Sequence, residues 1–203
     1  MARADKVLAV GESEETKDRI LEAAVKVFSE SGYHNATMTR IAERAGVAKG
    51  TVYWYFASKE ELFIGIIETG LSRVYARLKL VLSDGELKPD AKLRRVIEEY
   101  LLFFKEQHYL SKVVSTGIQG LSQGFHARFM EWRKRFIKIN AELIAEGVAA
   151  GLFRQELDPE KVALALSGIL AGIGSQHLLT GEELNEEKET LFVFTLLLHG
   201  ISS

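Results

Sequence analysis

The sequence predicts an all-α protein in two parts: a three-helix domain built around a helix-turn-helix, then a larger helical body. Three observations lead there. Apolar residues recur at three- and four-residue spacing along most of the chain. No alternating run bounded by hairpin turns interrupts them. The breaks are helix punctuation, namely caps, glycines and two prolines that both stand where a helix can begin.

Taken in order, residues 1–12 are expected to fray, and Ser13 to cap a first helix with Glu14 and Glu15 in its first turn. Ile20, Leu21, Ala24, Val27 and Phe28 form its apolar stripe, and Gly32 ends it. A second helix runs from a cap at Thr37 to Ala45, where Gly46 breaks it, and a third covers Ala48 to Tyr55. "SKEE", Ser58 to Glu61, is a capping box that opens a long fourth helix reaching about Leu82.

"SDGELKPD" (83–90) is a break, followed by a helix through "AKLRRVIEEYLLFFKEQ". "STGIQGLSQG" (115–124) is interrupted by glycines, and a long helix then covers about 124–150, stopping at Gly151. Asp158 caps the next, with Pro159 in its first position, and it ends near Gly181. Asn185 caps a last helix through His199, which makes about nine in all. The expected division is a helix-turn-helix domain over 13–60, with the motif itself at about 37–56, and a helical body over 61–203.

Composition narrows the function. The net charge of −2 gives no global polybasic signal. With no cysteine there is neither a disulfide framework nor a thiolate metal site, as fits an intracellular, cytoplasmic protein. "MARADKVLAVGESEE" lacks the apolar core of a signal peptide. The most apolar run, "VALALSGILAGIG", is shorter than the ~18 residues a membrane span needs and reads as a buried helix.

There is no HExxH, GxSxG or phosphate-binding loop, and the five histidines are scattered without metal-ligand spacing. "GILAGIG" has the wrong glycine spacing for a dinucleotide turn and instead permits close helix packing. Neither catalysis, a cofactor nor a metal is expected, and no catalytic residue is assigned.

The informative stretch is "AGVAKGTVYWYFASKEEL", residues 45–62. Two short helices across a glycine turn make a helix-turn-helix pattern. Ile41, Ala45, Val47, Val52 and Phe56 supply its inward faces, which turns Lys49, Thr51 and Tyr55 outward and leaves Tyr53 and Trp54 at the flanks. Lysine, hydroxyls and rings suit phosphates and base edges. Lys59 stands in the first turn of the fourth helix, beside free backbone N–H groups that suit a phosphate. Between Thr37 and Lys59, Arg40, Arg44, Lys49 and Lys59 oppose only Glu43, a local excess of three positive charges. An ordinary helical hairpin, as in a protein–protein adaptor without DNA binding, fits the same pattern.

"TKDRILEAAVKVFSESGYHNATMTRIAERAGVAKGTVYWYFASKEELF", residues 16–63, resembles the N-terminal domain of the TetR family of transcriptional regulators. The resemblance implies an all-helical homodimer that binds a palindromic double-stranded DNA operator, usually represses, and holds a small-molecule pocket in its C-terminal body. It implies DNA contacts at Thr37 and Met38, at Ala48, Lys49, Gly50, Thr51, Tyr53, Trp54 and Tyr55 of the recognition helix, and at Lys59. Many members carry Ser or Thr where this chain has Ala48, so the hydroxyl that would cap the recognition helix or meet a phosphate is missing here.

In the body, Phe125, Phe129, Trp132, Phe136, Asn140 and Leu143 share one stripe, and Leu166, Ile169, Leu170, Ile173 and His177 another. Asn140 and His177 are polar groups on apolar faces. They are either core residues satisfied by neighbouring helices or polar handles in a ligand pocket. The pocket reading joins them to Phe103, Phe104, Phe129, Trp132 and Phe136 around a hydrophobic effector such as a drug or a fatty acyl compound. His108 is a lesser candidate. "WRKRF", 132–136, is either a solvated charge run or a contact for an acidic ligand group. A wedged ligand would displace the far end of the fourth helix. The last two helices are too apolar to face water and are expected to form a two-fold interface between protomers.

Overall fold

A computed structural model of the chain describes residues 2–106 and 123–201. Among them are eight helices and no strand: α1 Ala2–Asn35, α2 Met38–Ala45, α3 Lys49–Tyr55, α4 Lys59–Ser83, α5 Pro89–Glu106, α6 Gln123–Ala149, α7 Pro159–Thr180 and α8 Glu186–Ile201. No described helix is long and apolar enough to cross a membrane. His108 and most of "STGIQGLSQG" lie outside the described residues.

The caps are where the sequence puts them. Thr37 accepts from the Arg40 N–H, Ser58 from Glu61, Asp158 from Glu160 and Lys161, and Asn185 from Lys188. The exception is Ser13. α1 continues back to Ala2 through Gly11, since no proline stands in that stretch, and the Ser13 hydroxyl turns to Tyr55 instead of capping. Gly32 ends the regular helix as expected, its φ of 73° and ψ of 162° being non-helical, and a further turn to Asn35 lies beyond that kink.

The chain divides into two compact units, Met1–Thr69 and Gly70–Ser203. The first has a core of fully buried Ile20, Val27, Phe28, Ile41, Val52 and Leu62. Phe28 meets Phe63 edge to face at 5.6 Å. Gly65 lets the ring of Phe56 close onto α4, since a Cβ there would stand 2.8 Å from it. The second unit buries Leu78, Leu93, Ile97, Leu101, Leu143 and Leu166. Lys92 is buried among them, its ammonium donating to the Leu82 carbonyl at 3.0 Å and to Glu146 at 2.8 Å.

Candidate DNA-binding surface and effector cavity

The helix-turn-helix is held from three sides. Gly46, at φ 66°, donates its N–H to the carbonyls of Ala42 and Glu43. The Arg19 guanidinium donates to the Ala45 carbonyl at 2.8 Å, which satisfies a carbonyl at the end of α2 that has no helical partner. Val52 and Phe56 are buried, the Phe56 ring close to Gly65 of α4, fixing the rotation of α3.

That rotation exposes Lys49, Gly50, Tyr53 and Trp54 and leaves Thr51 half-buried. Trp54 is 74% exposed. At about 100° per residue it lies roughly 200° round the helix from Val52. The Lys49 ammonium is 5.9 Å from the centre of the Tyr53 ring. Ala48 stands at the N-cap of α3 and makes no side-chain cap.

Tyr55 does not point outward as expected. It is only about 60° from Val52 and turns back onto α1, where its hydroxyl donates to the Ser13 carbonyl at 2.8 Å. Thr37 is exposed at the start of α2, whereas the Met38 side chain is buried. Lys59 donates to the carbonyls of Tyr33, His34 and Ala36 at 2.7, 3.0 and 3.1 Å. The local basic excess is also smaller than the count suggests. Arg40 and Arg44 both pair with Glu30, an acid outside the counted stretch.

The second unit contains a cavity of about 340 Å³. Phe103, Phe104, Phe129, Trp132 and Phe136 all line it, with Leu71 and Val74 of α4 completing part of the wall. The ring of Phe136 is the hub, 5.8 Å from Tyr75, 5.7 Å from Tyr100 and 6.0 Å from Trp132. Gly174 makes room for Phe104, because a Cβ there would lie 2.8 Å from that ring. This is the close approach that "GILAGIG" anticipates, whereas Gly168 and Gly172 of that run have open space around them.

Asn140 is fully buried and does not line the cavity. It stands behind Tyr100, donating to the phenol oxygen at 2.9 Å. His177 is away from the cavity, its Nε2 3.7 Å from Glu189. Of "WRKRF", only Arg133 adds a charged group to the lining. Lys134 pairs with Glu131, and Arg135 stacks over Trp132 with its guanidinium 5.0 Å from the ring.

Sequence reasoning missed Tyr100. The signal was present, since Leu93, Val96, Ile97, Tyr100 and Phe104 follow one helical stripe.

Residues 20–66 match the profile of bacterial regulatory proteins of the tetR family, and residues 86–175 match that of a tetracyclin repressor-like C-terminal domain. The uncharacterized HTH-type transcriptional regulator YdgC of Bacillus subtilis is 30% identical over 92% of this chain and 95% of its own. The fatty acid metabolism regulator protein of the same organism is 28% identical over 90% of this chain and 94% of its own. Among solved structures, the fatty acid degradation regulator FadR from Bacillus halodurans superposes with a TM-score of 0.79 at 27% identity, over 90% of this chain and 94% of the other. The chain therefore belongs to the TetR family of bacterial regulatory proteins and is a DNA-binding transcriptional regulator.

Proposed function

We propose that the protein represses genes of fatty acid metabolism and is released from its operator by a fatty acid or fatty acyl compound in the second unit's cavity. The observation that carries this is the lining: six aromatic side chains and few polar groups around about 340 Å³. That is a ligand-sized, mainly apolar site. An apolar, aromatic-lined space of this kind fits a fatty acyl chain. Two similar proteins are named for regulating fatty acid metabolism or degradation.

In this reading residues 13–60 form the DNA-binding domain, and 61–203 bind the effector and dimerise. The exposed Lys49, Gly50, Tyr53 and Trp54, with the half-buried Thr51, enter the major groove. Thr37 and Ala48 meet phosphates at the starts of their helices. The buried Met38 contributes its backbone N–H, and Tyr55 only its ring edge. Lys59 leaves one of its carbonyl partners to meet a phosphate. Two protomers join through α7 and α8, where Leu164, Leu179, Leu191, Phe192 and Leu196 are exposed. Their recognition helices then read successive major grooves of an inverted repeat.

The test selects the operator from a random DNA pool, labels it, and titrates the bound complex with fatty acids and acyl thioesters of graded chain length. Release should show an optimum chain length, and Trp132→Ala should shift that optimum. A complex indifferent to every chain length would overturn the effector assignment while leaving the DNA-binding role intact.

A further inference from the structure

The cavity wall has an internal polar site that neither its apolar character nor its shape accounts for. Several lining residues carry polar atoms. Ser167 donates its hydroxyl within its own helix, to the Ala163 carbonyl at 2.9 Å. Arg133 is exposed. Tyr100 differs from both, because its phenol oxygen accepts the Asn140 amide at 2.9 Å and its own proton has no acceptor among the described residues. Behind it, Asn140 is 0% exposed and its Oδ1 also lacks a partner.

Turning the amide over does not remove the problem. Tyr100 would then donate to Oδ1, and the buried NH₂ would be left without an acceptor. Either way the pair ends with unused hydrogen-bonding capacity in an apolar surrounding, where buried polar groups are nearly always paired. Of the two arrangements, the one with the amide donating leaves an O–H on a side chain that borders the cavity. Tyr100 borders the cavity and as a residue is only partly covered, whereas its hydroxyl is itself enclosed. Burial holds the phenol well above its ordinary ionisation range, so the proton is retained at any working pH.

We propose that the Tyr100 hydroxyl is the donor that recognises an oxygen on the ligand, an acyl carbonyl, and that Asn140 is a positioning residue that turns this hydroxyl into the cavity. The proposal rests on the reading of the cavity as the effector site. It adds that the site selects an acyl compound over a bare hydrocarbon chain of equal length. Asn140 acts only through Tyr100, since it does not reach the cavity itself.

The experiment measures binding to the full-length protein by calorimetry with three probes: dodecanoyl-CoA, its thioether analogue S-dodecyl-CoA, which lacks only the carbonyl oxygen, and dodecanoic acid. The parent protein should bind the thioester about five- to tenfold more tightly than the thioether, the ratio one hydrogen bond supplies. Tyr100→Phe should bring the two to the same affinity without weakening the thioether. Asn140→Leu should keep thioether binding and lose part of the preference. Circular dichroism melting identifies a variant that fails to fold, and Tyr100→Leu then provides a second way to remove the hydroxyl. Tyr100-dependent binding of the thioester alone supports the proposal and assigns the carbonyl to a thioester. Equal dependence for dodecanoic acid supports it with the free acid as source. A parent protein that binds thioester and thioether alike, or a Tyr100→Phe variant that keeps the preference, overturns it while leaving the effector cavity standing. If none of the three probes binds, the effector reading fails and this proposal with it.

Discussion

The ammonium of Lys59 sits 4.7 Å above the centre of the Tyr33 ring and donates to the Tyr33 backbone carbonyl at 2.7 Å. With the His34 and Ala36 carbonyls it closes the end of α1, where backbone oxygens lack helical partners. A lysine that sequence alone assigns to DNA therefore also holds the fold. Lys59→Ala should lower the stability of the N-terminal unit by about 1–3 kcal/mol. Denaturant unfolding followed by tryptophan fluorescence measures this. An unchanged midpoint would show that the carbonyls are satisfied equally well by water.

Glu30 holds Arg40 and Arg44 at once, and all three side chains are substantially exposed. A single carboxylate thus competes with phosphate for two guanidinium groups. Glu30→Gln should free them and raise affinity for all DNA sequences alike. It should also steepen the salt dependence by about one unit of slope for each further phosphate that an arginine neutralises. Titrations at several salt concentrations test it, and an unchanged slope would mean that neither arginine reaches the duplex.

Leu191, Phe192 and Leu196 are each more than half exposed on α8. If this face joins two protomers, Leu196→Glu buries a charge at the centre of the interface. Sedimentation equilibrium should then find monomer where the parent is dimer, and operator affinity should fall although every DNA-facing residue is unchanged. A dimeric Leu196→Glu variant would place the interface elsewhere.

Gly174 is the point at which the cavity is most easily narrowed. Gly174→Ala adds a methyl that would stand 2.8 Å from the Phe104 ring, and the ring must yield into the open space. The helix itself gains, since alanine is favoured over glycine by about 1 kcal/mol. The expected outcome is a protein of similar melting temperature whose preferred fatty acid is shorter. A competition assay across chain lengths reads that shift.

Much of the fold was legible because its signals are local. Thr37, Gly46, Ser58, Asp158 and Asn185 act on residues within four positions of themselves, and pattern reading finds such devices. The aromatic lining was legible for a similar reason, as Phe129, Trp132 and Phe136 share one face of one helix. What escaped depends on long-range partners. Tyr55 is pulled inward by Ser13, 42 residues earlier. Asn140 is set behind Tyr100, 40 residues earlier, so the polar handle in the cavity is a phenol instead of the amide. Glu30 neutralises arginines 10 and 14 residues away. Ser13 failed as a cap because the helix does not stop there, and helix starts without a breaker are weak signals.

The Lys92 clasp changes how α4 can move. It grips the Leu82 carbonyl from a buried position, so it ties down the end of α4 that the sequence suggests a ligand displaces. α4 borders the cavity at Leu71 and Val74. Lys92→Met leaves the cavity intact, and should let the effector bind while the operator stays bound.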